Sequence, residues 1–92
     1  MAELMSDEDV ESRLEGSDWR REQDEIVRDW KFKDFGAAIE FVNRVAVAAE
    51  AANHHPDILV HGWNKVRLSL TNHSAGGLTE TDFEMADRFD AI

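Results

Sequence analysis

A single proline, Pro56, separates a long helical pattern from two strand patterns that follow it. Over residues 35–52 the apolar side chains recur at helical spacing. A proline disfavours helical backbone angles in the residue before it, which here is His55. The sequence therefore predicts a helix over about 35–52 that presents His54 and His55 at a helix-to-strand junction. Because the unperturbed pKa of imidazole allows proton exchange near neutral pH, this junction is a candidate proton-transfer site.

The helix predicted over 35–52 carries two apolar stripes. The first comprises Phe35, Ala38, Ile39, Val42, Val45, Ala46 and Ala49, and the second comprises Ala37, Phe41, Ala48 and Ala52. One stripe can pack on a sheet, but a second has no neighbour within so small a monomer. We therefore expect the helix to contact another subunit as well. The alternative is an alanine-rich second face that is simply exposed.

Shorter elements are predicted on both sides of this helix. A Ser6–Asp9 capping box begins a helix over 7–15 that ends at Gly16, and Thr79 with Asp82 caps a final helix. Alternating apolar residues predict strands, separated by turn residues. The predicted strands are 19–22, 26–32 with Arg28 interrupting its apolar face, 57–61 and 63–71; turns are expected at 23–24 and Gly62, and a loop at 72–77.

The element order is α-β-β-α-β-β-α. It predicts an α+β fold in which a four-stranded antiparallel sheet carries helices packed on one face. A chain of 92 residues suits a single domain over 1–92 with one modest core. We expect Trp63 to belong to that core and His61 to be structural.

Charge and composition disfavour nucleic acid and membranes as binding partners. The formal net charge is −10, from 20 acidic and 10 basic side chains, which disfavours direct binding to nucleic acid. Cysteine is absent, and no apolar run approaches the ~20 residues of a membrane span. The N-terminus shows no signal-peptide pattern, so we expect a cytoplasmic protein without a membrane partner. The acidic balance is either an ordinary solubilising surface or, as a hypothesis, an adaptation to a high-salt cytoplasm.

The potentially reactive residues form a pattern with fixed gaps. The pattern consists of Glu50, His54-His55-Pro56, Trp63, His73 and Asp82. It resembles the signature of the pterin-4a-carbinolamine dehydratases, also called 4a-hydroxytetrahydrobiopterin dehydratases. The similarity extends upstream over residues 30–35 and downstream over residues 77–79. In this chain a tryptophan at 63 replaces the tyrosine of many members, and Asn72 stands where threonine is common.

The resemblance implies a hydro-lyase that removes water from a 4a-hydroxytetrahydropterin by histidine acid–base catalysis. It implies His54 and His73 as the acid–base pair and His55 as a residue that orients or binds the substrate. Glu50 and Asp82 would hold the imidazoles, as carboxylates do beside catalytic histidines. The pterin pocket would be lined by the three histidines together with Asn53, Thr71, Asn72 and Ser74. No cofactor is implied, because protonation activates the leaving group.

The resemblance also implies an oligomer, and two alternative interpretations of the histidines are possible. The family forms dimers or tetramers through sheet edges and central helices, so we expect a homodimer or homotetramer using the helix at about 35–52. One rival reading is a metal site built from His54, His55, His73 and a carboxylate, although adjacent histidines seldom reach one ion. The other is a pterin-binding protein without turnover, or an interaction protein of the dimerisation or coactivator type.

Overall fold

The computed structural model describes residues 3–92, and its helices and strands begin and end close to the predicted positions. Ser6 accepts a hydrogen bond from the Asp9 amide and begins the first helix, while Asp34 accepts from the Ala37 amide and begins the second. The elements are α1 Asp7–Leu14, β1 Arg20–Glu22, β2 Glu25–Lys31, α2 Phe35–Ala52, β3 Asp57–His61, β4 Lys65–Leu70 and α3 Glu80–Asp90.

The four strands form one antiparallel sheet in the order β1-β2-β4-β3. Val66 at the centre of β4 lies opposite Trp30 of β2 on one side and Val60 of β3 on the other. The α+β class, the four-stranded antiparallel sheet and the order α-β-β-α-β-β-α are therefore confirmed.

The hydrophobic core lies between one face of the sheet and the helices. Alternation along β4 buries Val66, Leu68 and Leu70 completely, whereas Lys65 on the opposite face is exposed. Full burial of one such aliphatic side chain contributes about 1.5–3 kcal/mol, so β4 stabilises much of the fold. The helices supply the other side of the core through Val10, Ala38, Phe41, Val45, Ala49, Phe83, Met85, Ala86 and Phe89.

The division of α2 into two apolar stripes was wrong in its details. Phe41, assigned to the second stripe, is buried in the core of the monomer, whereas Phe35 and Ala46 of the first stripe are exposed. The buried face is centred on Ala38 and Val45, at the side of the first stripe that adjoins the second, and it includes Phe41 of the second stripe. One face of α2 therefore packs within the monomer, and it takes residues from both predicted stripes.

Arg28 interrupts the apolar face of β2 without leaving a buried charge unpaired. Its guanidinium contacts the Asp90 carboxylate at 2.5 Å and the Asp18 carboxylate at 3.5 Å. It also lies over the ring of Trp30, 4.4 Å from the centroid. The arginine therefore joins β2 to the end of α3, because both its charge and its flat face find partners.

The prediction that Trp63 belongs to the core was wrong. Its side chain is 62% exposed, and its backbone adopts the left-handed conformation with φ 57°, in the turn that joins β3 to β4. Asn64 occupies the buried position instead: its side-chain amide donates to the Phe32 carbonyl at 3.0 Å, and its carbonyl accepts from the Phe32 amide at 2.8 Å. Since the chain reverses at Gly62–Asn64, β4 begins at Lys65 rather than at residue 63.

Candidate active site

His54 and His55 follow the carboxyl end of α2, where Asn53 closes the helix. Asn53 adopts the left-handed conformation with φ 50°, which asparagine tolerates better than most residues. The amide of His54 then donates to the carbonyl of Ala49 at 3.1 Å, which satisfies an otherwise free helical carbonyl. The turn directs the chain away from the helix axis and brings the two imidazoles to the helix end.

His54 is held by a buried carboxylate. Its Nε2 lies 2.6 Å from Oδ1 of Asp82, which is fully buried at the start of α3. The other carboxylate oxygen, Oδ2, accepts from the Thr79 amide at 2.8 Å and from the Thr79 hydroxyl at 3.2 Å. Because each oxygen of Asp82 has a donor or an imidazole nitrogen against it, the carboxylate is fixed in orientation.

His55 is paired with a different carboxylate, in a more open position. Its Nε2 lies 2.5 Å from Oε1 of Glu50 on the last turn of α2, and both side chains are exposed. A pair this accessible to water stabilises the fold little. Its structural effect is to orient the His55 ring rather than to hold the helix end.

His73 reaches the same region from the loop after β4. This loop is closed by the Asn72–Gly77 bridge, in which the Asn72 amide donates to the Gly77 carbonyl at 3.0 Å. The Asn72 side-chain oxygen accepts from the Ala75 amide at 3.0 Å and shapes the turn. His73 itself is exposed, so solvent has access to its imidazole.

One open cavity of about 260 Å³ brings these segments together. Its volume is slightly below the usual range for ligand sites, about 300–1,000 Å³, so it suits only a compact ligand. Its lining residues are the seven expected around a pterin: Asn53, His54, His55, Thr71, Asn72, His73 and Ser74.

Glu50 and Asp82 do not line this cavity. Each contacts one histidine, so their place in the structure suits orientation of the rings rather than contact with a ligand. Thr71 lines the cavity, although its hydroxyl donates to the Asp24 carbonyl at 2.6 Å. Thr79 was not expected at the site. The capping box in the sequence predicted that Thr79 contacts Asp82. It did not predict that Thr79 would be connected through Asp82 to His54.

Over the described residues, the structure contains neither a cluster of side chains suited to a metal ion nor a helix suited to crossing a membrane. Between residues 3 and 92, no three histidine or acidic side chains converge so that they could hold one ion. In that same part of the chain, no helix is both long and apolar enough to cross a membrane.

The Nε2 atoms of His54 and His55 point to separate carboxylates, an arrangement suited to oriented proton transfer.

Comparison with known proteins identifies relatives of the whole chain. Residues 3–92 match the family model described as pterin 4 alpha carbinolamine dehydratase. A relative from Chloroflexus aurantiacus, provisionally named a pterin-4-alpha-carbinolamine dehydratase, is 50% identical over 92 residues, covering 100% of this chain and 98% of its own.

Two solved structures share the fold. A Brucella melitensis protein described as a transcriptional coactivator/pterin dehydratase superimposes with a TM-score of 0.88 at 32% identity, covering 96% of both chains. A pterin dehydratase-like protein described as a RuBisCO assembly factor in the alpha-carboxysome superimposes with a TM-score of 0.66 at 24% identity, covering 79% of this chain and 86% of its own. The second likeness is one of fold alone. The match of the family model over almost the entire chain shows that this protein belongs to the pterin 4 alpha carbinolamine dehydratase family.

Proposed function

We propose that this protein catalyses the dehydration of a 4a-hydroxytetrahydropterin to a quinonoid dihydropterin. The observation that carries the proposal is the meeting of His54, His55 and His73 around one cavity in a member of this family, with His54 held by a buried carboxylate. A compact, largely flat ring system is compatible with the open cavity between the α2 end and the His73 loop.

The reaction requires two proton movements. The N5–H proton leaves, the C4a=N5 double bond forms, and the C4a–O bond breaks while the hydroxyl takes up a proton and departs as water. Two imidazoles on one cavity can perform both transfers, each typically contributing ~10²- to 10⁴-fold to the rate. No redox change occurs, so the proposed reaction needs no electron carrier.

The surroundings of the histidines favour one assignment of roles. Asp82 places a carboxylate against His54, and a carboxylate stabilises the imidazolium that forms when the ring accepts a proton. His54 is therefore proposed to remove the N5 proton. His73 is exposed and can be reprotonated by solvent, so it is proposed to protonate the leaving hydroxyl. His55, oriented by Glu50, is proposed to bind the pterin ring.

The direct test is stopped-flow absorbance on 4a-hydroxytetrahydropterin generated in situ, with wild type and His54→Ala. The wild type should accelerate dehydration above the spontaneous rate, and His54→Ala should lose about 10²-fold or more of that acceleration. His61→Gln is the matched control, because His61 lies on β3 and does not line this cavity. Absence of acceleration by a folded wild type, at low salt and in molar KCl, would contradict the proposal.

A homo-oligomer is proposed from the apolar side chains left exposed on the monomer. Phe35 and Val47 on α2 are 54% and 72% exposed, and Ile58 and Leu59 lie exposed on β3, which is an edge strand. An edge strand and an apolar helix face both favour association with a second copy. This support is independent of the relatives.

Light scattering after size-exclusion chromatography tests the assembly. The wild type should elute as a dimer or tetramer. The Val47→Glu and Leu59→Lys variants should each form an assembly of lower mass than the wild type. Arg88→Glu is the control, because Arg88 is an exposed charged residue of α3. A wild type of monomer mass at micromolar concentration would contradict the proposal.

The same exposed surface supports a second candidate function, that of an interaction protein. The Brucella melitensis protein, for which the name joins a coactivator and a dehydratase, is consistent with this alternative. The two candidates differ in the effect of replacing His54 and His73 together with alanine. An interaction role would survive the double replacement, whereas dehydration would be lost.

A further inference from the structure

The Asp82 carboxylate belongs to two structures at once: the amino-terminal cap of α3 and the candidate active site. Its Oδ2 takes both hydrogen bonds from Thr79, and its Oδ1 faces Nε2 of His54 at 2.6 Å. Thr79 and Asp82 are both almost completely buried, so water does not substitute for a lost donor there without rearrangement. The cap therefore connects the start of α3 to His54, which lies beyond the end of α2.

This connection determines which ring nitrogen of His54 is available. A carboxylate oxygen only accepts hydrogen bonds, so the proton of a neutral His54 ring lies on Nε2. Nδ1 is then left without a proton, and it is the ring nitrogen that can accept one from a ligand in the cavity lined by His54. Rotation of the Asp82 carboxylate would weaken the contact at Nε2 and admit the other tautomer.

We propose that Thr79 is a positioning residue: its hydroxyl, acting through Asp82, holds His54 in the Nε2–H tautomer with Nδ1 free to accept a proton. Thr79 does not line the cavity, so this role is distinct from substrate contact. The kinetic part of the inference rests on the proposed dehydratase function, whereas the tautomer itself is a property of the free protein.

The first experiment measures the tautomer by nitrogen-15 NMR of the histidine rings, in wild type, Thr79→Val and Thr79→Ser. Valine nearly preserves the shape of threonine and removes only the hydroxyl, while serine retains it. Wild type and Thr79→Ser should show the Nε2–H form of His54, and Thr79→Val should show a mixture of both tautomers. A predominant Nδ1–H form in the wild type would overturn the inference even if every variant failed to fold.

The second experiment compares steady-state kinetics in the same proteins. Loss of a residue that orients a metal-ligating histidine typically costs 10- to 100-fold in affinity or activity. By analogy with the low end of that range, Thr79→Val should lower kcat by about 10-fold with little change in KM. Thr79→Ser should restore kcat to near the wild-type value.

Ser6→Ala is the matched control for a purely structural effect. Ser6 caps α1 by accepting from the Asp9 amide, and it is remote in sequence from the histidines. It should lower the melting temperature without changing kcat or the His54 tautomer. If Thr79→Val behaves in the same way, the positioning role is refuted. If the wild type shows the Nε2–H form but no dehydration, the proposed function fails while the tautomer inference stands.

Discussion

Asp29 on β2 is the residue at which protonation and stability are most clearly linked. The hydrogen bond from Arg67, at 2.8 Å, is the main cause that holds the pKa of the Asp29 carboxyl below its ordinary value of 3.8. Burial acts in the opposite direction, and a further hydrogen bond from Arg20 lowers the pKa again. Such a group contributes stability above the unfolded pKa, and that contribution is lost as the pH falls through the folded pKa.

Asp29→Asn should therefore be less stable than wild type at neutral pH, by a margin that shrinks in acid. The margin should begin to fall near pH 3.8, where the Asp29 carboxyl of the unfolded chain takes up a proton, and it should be lost as the pH falls through the lower pKa of the folded carboxyl. Urea unfolding from neutral pH to about pH 2.5 measures it. Arg67→Ala should converge with Asp29→Asn in acid, and the double variant should add little to either. A stability difference that is constant across this range would contradict the prediction.

At the scale of the elements, the turn between β3 and β4 is a feature that the alternation of apolar and polar side chains does not predict. The alternation of Val66, Leu68 and Leu70 correctly predicted β4 and its buried face. The predicted strand also began at residue 63, and Trp63 was expected to belong to the core. The chain reverses there, and Trp63 takes a left-handed conformation that its residue type does not signal.

Trp63→Asn is expected to leave the monomer's stability unchanged or to raise it. Asparagine tolerates a positive φ better than tryptophan does, and little buried contact is lost from a side chain that is 62% exposed. Leu68→Ala, at a fully buried position of β4, should instead cost about 2–5 kcal/mol. Urea unfolding of both variants compares them. A loss for Trp63→Asn as large as that for Leu68→Ala would show that Trp63 contributes to packing after all.

Some features of the candidate site can be predicted from the local sequence, whereas others depend on tertiary packing. The helix end at Asn53 and the Thr79–Asp82 box follow from local rules for caps and left-handed residues. The approach of His73 to His54 depends on the packing of the whole sheet, so spacing alone does not predict it; it was expected only from the family resemblance. The contact between Asp82 and His54 joins residues 28 apart, for the same reason.

At the scale of the whole molecule, the formal net charge of −10 governs how stability responds to salt. Surface ion pairs such as Arg67–Asp29 are weakened by screening, which would make salt destabilising. Repulsion among 20 acidic side chains is also screened, which would make salt stabilising. Because acidic residues outnumber basic ones two to one, we expect the second effect to exceed the first.

The melting temperature should therefore rise with KCl up to molar concentration. A triple variant, Glu11→Gln, Glu84→Gln and Asp87→Asn, removes three exposed charges that form no ion pair within residues 3–92. It should be more stable than wild type at low salt and should respond less steeply to KCl, because there is less repulsion to screen. Differential scanning calorimetry of both proteins across the salt series measures the two slopes. A wild-type melting temperature that stays constant or falls would remove the case for adaptation to high salt, and the acidic surface would then be explained by solubility alone.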